Sequence, residues 1–196
     1  MMVRNPVVAG QFYPGVPSQL TAQIEGFIDE KAPKEEVIGL VSPHAGYIYS
    51  GPVAGAVISR VKLKDIFIIM GPNHTGNGKP FGIMTEGVWK MPLGDVRIDS
   101  ALGKEILARS AYLEEDRVAH LYEHSIEVQI PFLQYFKRDV SIVPIVFSHH
   151  TGDIYKEIGR AIAASIKSLK RDVIIIASSD MTHYEPRKSA KRKDSQ

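Results

Sequence analysis

The sequence predicts a single α/β domain whose central sheet is mostly parallel or mixed and carries helices on both faces. Strand-like apolar runs alternate with helix-like amphipathic segments along the 196 residues, and consecutive parallel strands need helical connections of this kind. The strand-like runs are apolar at successive positions, which is typical of strands covered on both faces. The length suits one domain with a sizeable core.

The elements follow from the period of the apolar residues. Continuous or β-branched apolar runs indicate strands over residues 37–43, 65–71, 139–147 and 172–180. Apolar residues at helical spacing indicate helices over residues 52–61, 100–111, 124–136 and 151–169. Turn residues divide the stretch 81–99 into short extended segments. Pro52 suits a first helical position, Ser100 suits a helix cap, and Pro131 suits a bend.

Composition limits the classes of function. The formal net charge is only +2, so we expect no nucleic-acid partner. No apolar run reaches the roughly 20 residues of a membrane-spanning helix, and the first residues lack the apolar core of a signal peptide. We therefore expect a cytoplasmic protein that does not enter membranes. Because the chain has no cysteine, a metal would be held by nitrogen and oxygen ligands.

The chain ends in the strongly basic stretch RKSAKRKDSQ, residues 187–196. This stretch contains no large apolar side chain that could pack against a core, and such segments are usually solvated and poorly ordered. We therefore predict that residues 1–186 form the single domain and that residues 187–196 form a disordered tail.

Three predicted strands are followed by residues that can bind a metal or move a proton. His44 follows the first strand in PHAGYIYSG, and His74 follows the second in GPNHTGNGKP. Asp180 and His183 follow the last strand in SSDMTHY. Because ligands bind at the carboxyl ends of the strands in such sheets, we expect these four residues to share one cleft.

Metal binding is the chemistry expected of this cleft. Imidazole suits mid-series divalent metals, and two histidines with one carboxylate leave open positions for substrate and O₂. His44, His74 and Asp180 form the predicted ligand set, with Fe(II) as the expected metal and Cu or Zn as alternatives. Two roles stay open for His183, as third ligand or as general acid–base, and Asp180 would then fix a histidine tautomer. His124, in HLYEHSIEVQ, is a further candidate for a catalytic role.

The glycines of GPNHTGNGKP also suggest a phosphate-binding loop. However, the stretch has neither the GxxxxGKS/T spacing nor the GxGxxG spacing that is typical of such loops. No helix signal follows it, so no helix N-terminus is offered to an anion. We therefore favour a turn that presents His74. His149 and His150 also follow a strand, but SHHTGD is typical of a helix cap, and we predict structural or exposed roles for both.

The motifs PHAGYIYSG, GPNH, EHSIEVQIPFL and SSDMTHY together resemble the Memo family (mediator of cell motility), which has many archaeal and bacterial members. The resemblance extends from AGQFYP to SSDMTHYEP, nearly the whole chain. It implies a fold like that of the class III extradiol dioxygenases, which are non-haem iron enzymes. It also implies a metal-binding cleft with His44 and His74, lined by Asp180 and His183, with His124 close by.

The resemblance implies functional properties as well. Family members have been linked to binding iron or copper, to redox activity and to phosphotyrosine peptides, and prokaryotic members to a radical-SAM partner system. Family chains continue beyond SSDxxHY and supply a cysteine to the metal site. By this comparison the domain in residues 1–186 lacks its C-terminal third, and an uncovered sheet edge would favour a homo-oligomer.

Three functions fit these observations. The first is a metal-dependent oxidoreductase, a dioxygenase-like enzyme that acts on an unknown small molecule. The second is a non-catalytic module that binds a phosphorylated or acidic peptide in the same cleft. The third is a metal-dependent hydrolase, for which Asp180 and two histidines would also serve. Metal content and O₂ consumption with catechols distinguish the three.

Overall fold

The central strand β3 (Ile66–Pro72) is covered on both of its faces. In the computed structural model, which describes residues 2–195, Phe67 and Ile69 belong to one apolar core and Ile68 belongs to another. This separation follows because successive side chains of a strand point to opposite faces of the sheet. All three side chains are fully buried. The continuous apolar run in the sequence is therefore explained by cover on both sides.

Nine strands and seven α-helices lie within the described residues. The other strands are β1 (Val3–Arg4), β2 (Gly39–Ser42), β4 (Phe81–Ile83), β5 (Val88–Trp89), β6 (Val96–Ile98), β7 (Glu114–Glu115), β8 (Ser141–Phe147) and β9 (Val173–Ser178). The helices are α1 (Pro17–Glu25), α2 (Tyr47–Ile58), α3 (Ser100–Arg109), α4 (Val118–Leu121), α5 (Ile130–Phe136), α6 (Gly152–Leu169) and α7 (Arg187–Asp194). A short 3-10 helix, Glu127–Gln129, precedes α5.

The sheet is mixed and mostly parallel, with the strand order β1-β5-β6-β8-β3-β9-β2. Strand β3 runs parallel to both of its neighbours, β8 and β9, and β2 runs parallel to β9 at the end of the order. Antiparallel pairs occur where β5 meets β6 and where β4 meets β8. The predicted single-domain α/β fold of the class III extradiol dioxygenase type is thus confirmed.

Helices cover both faces of the sheet. Ala54 of α2 and Ile130 of α5 belong to the core on one face, while Ile106 of α3 and Ile158 of α6 belong to the core on the other. Burying each such isoleucine contributes roughly 1.5–3 kcal/mol, so the two layers together fix the strand ends that carry the site. Within residues 2–195, no helix is long and apolar enough to cross a bilayer.

Three helix starts differ from the sequence prediction. The helix predicted over residues 124–136 begins only at Ile130, as α5, after the 3-10 helix. Helix α2 begins at Tyr47, whose N–H is held by a carbonyl of another segment, so Pro52 lies inside the helix instead of at its first position. Helix α3 is capped by Asp99, whose Oδ1 accepts a hydrogen bond of 3.0 Å from the N–H of Leu102. Ser100, the predicted cap, is therefore the first helical residue.

The C-terminal segment also differs from the predicted disordered tail. Residues 187–194 form α7, a helix with no buried side chain. Its end is tied to the segment before it, because Asp194 Oδ1 accepts a hydrogen bond of 3.1 Å from the N–H of Thr182 and another of 2.5 Å from its hydroxyl. Gln196, the last residue of the predicted tail, lies outside the described residues. The structure thus has an exposed helix where the sequence predicted disorder.

Candidate functional site

The candidate site is a cleft at the carboxyl ends of β2, β3 and β9. His44 follows β2, His74 follows β3 and Asp180 follows β9. Because β9 runs parallel to both β2 and β3, the loops that leave these strands lie side by side. His124 and His183 also line the cleft, whose volume is about 1160 Å³. All five predicted site residues therefore line one cavity.

The side chain of Ser125 lies against the backbone of Gly71, three residues before His74, and this contact explains the glycine. A Cβ atom added to Gly71 would lie 2.4 Å from Ser125 Oγ and 2.9 Å from Ser125 Cβ, so only glycine fits there. The loop over residues 73–80 contains no helix. As predicted, this glycine-rich stretch is a turn that presents His74 at the end of β3.

His44 is held as a neutral imidazole with one free nitrogen. Its side chain is 3% exposed, and burial lowers its pKa to about 4, although Asp180 acts in the opposite direction. Nδ1 lies 3.0 Å from the Ser178 hydroxyl. Nε2 is buried and has no hydrogen-bond partner among the described residues. A buried polar atom without a hydrogen-bond partner destabilises the fold, so a ligand bound at Nε2 would offset this cost.

His74 is oriented by a buried carboxylate from a distant part of the chain. Its Nδ1 lies 2.9 Å from Glu123 Oε1, and its backbone N–H donates a hydrogen bond of 2.6 Å to Glu123 Oε2. The hydrogen bond to Glu123 raises the pKa of His74. Burial alone would raise the pKa of Glu123, but hydrogen bonds from His74 and from the backbone of Ser125 lower it to about 2. An Nδ1–H donor to this anion leaves Nε2 free in the neutral ring.

His124 completes a group of three imidazoles. Its ring stacks on that of His74 with a centroid distance of 4.7 Å and an interplanar angle of 17°, and it lies 5.7 Å from the ring of His44. Burial lowers the pKa of His124, so the neutral form is favoured here as well. One nitrogen from each of the three rings lies within 4.8 Å of the others.

Asp180 ties the His44 loop to a second histidine. Its Oδ1 accepts hydrogen bonds from the N–H groups of His44 and Ala45, while Oδ2 lies 3.1 Å from His183 Nε2 and 3.8 Å from His44 Nε2. His183 Nδ1 lies 2.9 Å from the carbonyl oxygen of Met181. Both nitrogens of His183 therefore face oxygen acceptors, and the ring donates to both only when each nitrogen carries a proton.

The described residues contain two sets of three metal-ligating side chains, and His44 belongs to both. One set is His44, His74 and His124, and the other is His44, Asp180 and His183. The predicted set joined Asp180 to His44 and His74, whereas the structure brings His124 to that position. Asp180 instead lies with His183. The identity of the third ligand and the catalytic roles assigned to His124, Asp180 and His183 stay predictions.

The sequence does not connect Glu123 with His74. The Glu123 carboxylate accepts hydrogen bonds from the N–H groups of His124 and Ser125, its neighbours in the chain. The same carboxylate also reaches His74, 49 residues away along the chain. No local spacing rule connects two residues at that separation, so only the fold reveals the pair. His149 and His150 are exposed and belong to neither set.

The donor set fits a divalent metal of the first transition series. It consists of imidazole nitrogens and a carboxylate, which suit iron, zinc and divalent copper. The Nε2 atom of His44 is buried and has no hydrogen-bond partner within residues 2–195, and this observation favours a bound ion. Nδ1 of His44 contacts Ser178, and Nδ1 of His74 contacts Glu123. Metal-bound histidines usually make contacts of this kind through the nitrogen that does not bind the metal.

The fold and the cleft define a class of protein: an α/β domain of the class III extradiol dioxygenase type with a histidine-lined cleft at its strand ends. A family described as "Memo-like protein" matches residues 4–196. The chain therefore belongs to the Memo family, as its motifs predicted.

Three curated relatives agree with this assignment. The chain is 46% identical to a MEMO1 family protein of Desulfurococcus amylolyticus, over 100% of this chain and 74% of that relative. It is 44% identical to a MEMO1 family protein of Thermotoga neapolitana, over 98% of this chain and 75% of the relative. It is 45% identical to one of Pyrobaculum aerophilum, over 99% and 73%.

Proposed function

We propose that this protein binds a divalent metal ion through His44 and His74 and carries out dioxygenase-like redox chemistry on a small molecule. Fe(II) is the first candidate, and Cu and Zn are the alternatives. The observation that carries the proposal is the Nε2 atom of His44, which is buried and has no hydrogen-bond partner among the described residues. His44 also offers one nitrogen within 4.8 Å of a nitrogen from each of two further histidines. When bound, Fe(II) or Cu would supply a redox-active centre with open coordination positions, whereas Zn, which has no redox chemistry, would act only as a Lewis acid.

The chain's own residues have separable tasks in this proposal. His44 and His74 would each offer Nε2, because Nδ1 of each ring is engaged by Ser178 or Glu123. His124 or Asp180 would supply the third ligand, since each belongs to a set that contains His44. His183 lies against the Asp180 carboxylate at the exposed side of the cleft. From there it would hold a proton and deliver it to a substrate oxygen.

Titration of the metal-free protein with Zn(II), and anaerobically with Fe(II), tests the binding site. We expect about one equivalent to bind to the wild type and less than about a tenth of an equivalent to bind to the double variant His44→Ala/His74→Ala. His149→Ala is the matched control, because His149 is exposed and lies outside both ligand sets. Metal retained by the double variant would place the site elsewhere.

O₂ uptake by the Fe(II)-loaded protein tests the reaction class. We expect consumption of O₂ with a catechol and none without it. Binding of Fe(II) or Zn(II) with no O₂ uptake for any aromatic diol, together with ester or amide cleavage, would favour the hydrolase predicted as an alternative. Because Asp180 and two histidines would serve hydrolysis equally well, this measurement separates the two metal-dependent functions.

Peptide binding is a second candidate function, favoured by the rim of the cleft. Tyr49, Val53 and Tyr184 are exposed there, and exposed aromatic side chains are frequent at binding surfaces. A phosphorylated or acidic peptide would place its anion against the histidines. We expect such a peptide, if bound, to compete with Zn(II). Equal peptide affinity in the wild type and in His44→Ala would contradict the use of the same cleft.

A further inference from the structure

A buried hydrogen-bond network lies behind His44, on the side away from the cleft. Its centre is the hydroxyl of Ser178, the last residue of β9, and its other members are the carbonyl of Ser125 and the amide of Gln129. All three residues are at most 4% exposed. Ser178 Oγ lies 2.6 Å from Ser125 O, 2.8 Å from Gln129 Nε2 and 3.0 Å from His44 Nδ1. We call this group the Ser178 network.

The chemistry of the Ser178 network fixes the direction of every bond in it. Ser178 Oγ and the carbonyl oxygen of Ser125 are 2.6 Å apart. Of these two groups only the Ser178 hydroxyl has a hydrogen, so it is the donor. The amide of Gln129 presents its nitrogen, because Nε2 also lies 2.8 Å from the carbonyl oxygen of Pro43, which can only accept. That nitrogen therefore donates to Ser178 Oγ as well.

One lone pair of the hydroxyl remains, and it faces His44. A hydroxyl has one donor and two acceptor positions, of which the donor is used by Ser125 and one acceptor by Gln129. His44 Nδ1 must then donate to Ser178 Oγ to form the hydrogen bond. In the neutral ring this leaves Nε2 without a proton. Nε2 is also the atom that is buried and has no hydrogen-bond partner in the part of the chain that the structure describes.

We infer that Ser178 is a positioning residue that fixes His44 as the Nδ1–H tautomer, with Ser125 and Gln129 fixing the orientation of its hydroxyl. The result is an unprotonated Nε2 directed into the cleft before any ligand arrives. Its use for metal binding rests on the proposed function, but the tautomer does not, because it is a property of the metal-free protein.

The tautomer can be read from long-range ¹H–¹⁵N spectra of the metal-free protein at neutral pH. The His44 signals are identified by their loss in His44→Ala. We expect a protonated Nδ1 and an unprotonated Nε2 in the wild type, and a partial or complete shift to Nε2–H in Ser178→Ala. Ser165→Ala is the matched control, since Ser165 is also buried but its hydroxyl donates within α6, to Ala161 O at 2.8 Å.

A protonated Nε2 on His44 in the wild type would overturn the inference, and this result needs no variant. An unchanged tautomer in a folded Ser178→Ala would also overturn it. In Zn(II) titrations we expect Ser178→Ala to bind about 10–100-fold more weakly than Ser165→Ala. If the wild type has the expected tautomer but binds no Zn(II) or Fe(II), the proposed function fails while the positioning role of Ser178 stands.

Discussion

Glu123 shows at the scale of one residue how a carboxylate can organise two loops. It accepts hydrogen bonds from the backbone N–H groups of His74, His124 and Ser125 and faces Nδ1 of His74. Its pKa of about 2 keeps it anionic at any ordinary pH. One buried anion therefore sets the positions of two histidines that come from separate segments of the chain.

Replacing Glu123 with glutamine tests this role. The amide would place an NH₂ group against an N–H of the backbone, so we expect a loss of about 1–3 kcal/mol in the free energy of unfolding. We also expect Zn(II) binding to weaken about 10–100-fold. Urea denaturation and metal titration measure the two effects. Glu114→Gln, which changes an exposed carboxylate paired with Lys79, is the control, and equal effects of the two substitutions would contradict the role of Glu123.

The buried side chain of His120 predicts how the stability of the folded protein changes at acid pH. Burial lowers its pKa to about 4, and nearby Arg4 acts in the same direction. Between about pH 6.5 and pH 4 the unfolded chain therefore binds a proton that the folded protein excludes. The resulting stability is fully present above about pH 6.5 and is lost as the pH falls towards 4. His44, with a pKa of about 4, contributes in the same direction.

We expect His120→Gln to reduce the proton uptake on unfolding by up to one proton across this window. The glutamine amide can still donate to the carbonyl of Gly82, which His120 Nε2 approaches at 3.2 Å. Unfolding free energies in urea at several pH values between 7 and 4.5 give the slope of the free energy of unfolding against pH, which is proportional to this proton uptake. His150→Gln, at an exposed position, should leave it unchanged, and identical slopes in wild type and His120→Gln would refute the assignment.

At the scale of elements, the N-terminal strand β1 is joined to the site-bearing segment by a buried ion pair. Arg4 Nη1 lies 2.8 Å from Glu127 Oε2, and its other nitrogens donate to the carbonyl oxygens of His120 and Glu123 at 2.7 Å. Tyr13 also donates to Glu127, at 2.7 Å. The network thus connects β1 and the first loop to the residues on either side of His124.

Removing one charge from this pair should be costly. We expect Arg4→Met to lower the free energy of unfolding by about 3–5 kcal/mol, because the Glu127 carboxylate would stay buried without its counter-ion. Lys62→Met provides the comparison, since Lys62 and Glu36 form an exposed pair of the kind that contributes about 0–1 kcal/mol. Urea denaturation of both variants measures the two losses. Similar midpoints would show that the buried pair of Arg4 and Glu127 stabilises the fold no more than the exposed pair does.

The elements also show which features the sequence could predict. The runs 65–71 and 172–180 predicted β3 and β9 because buried parallel strands are apolar at every position. The start of α2 was misplaced because Tyr47 is fixed by a contact from a distant segment, which no local pattern contains. In the same way, histidines at strand ends predicted the cleft, but its supporting groups, Glu123 and Ser178, depend on contacts that only the folded chain forms.

At the scale of the whole molecule, the sheet has a free apolar edge. Strand β2 pairs with β9 alone among the described residues, and two side chains beside this edge, Ile38 and Val41, are 85% and 54% exposed. An apolar groove of about 760 Å³, lined in part by Ile38 and Ile175, adjoins it. Such edges favour pairing with another chain, and a homo-oligomer stays a prediction.

We expect Ile38→Lys to reduce self-association, because a lysine at a sheet edge opposes pairing with a second copy. Light scattering over a range of protein concentrations measures the average mass of wild type and variant. Val16→Lys, which changes an exposed apolar residue in another part of the molecule, controls for the added charge. A monomeric wild type, or association that Ile38→Lys does not weaken, would contradict a role for this edge.

The central claim is that His44 and His74 are two ligands of one metal ion. Crystals grown anaerobically with Fe(II), with diffraction recorded on both sides of the iron absorption edge, test it most directly. We expect one anomalous peak within bonding distance of the Nε2 atoms of His44 and His74, and its third protein neighbour will identify His124 or Asp180 as the remaining ligand. Absence of a peak in the cleft, or a peak bound only by residues elsewhere, would contradict the claim.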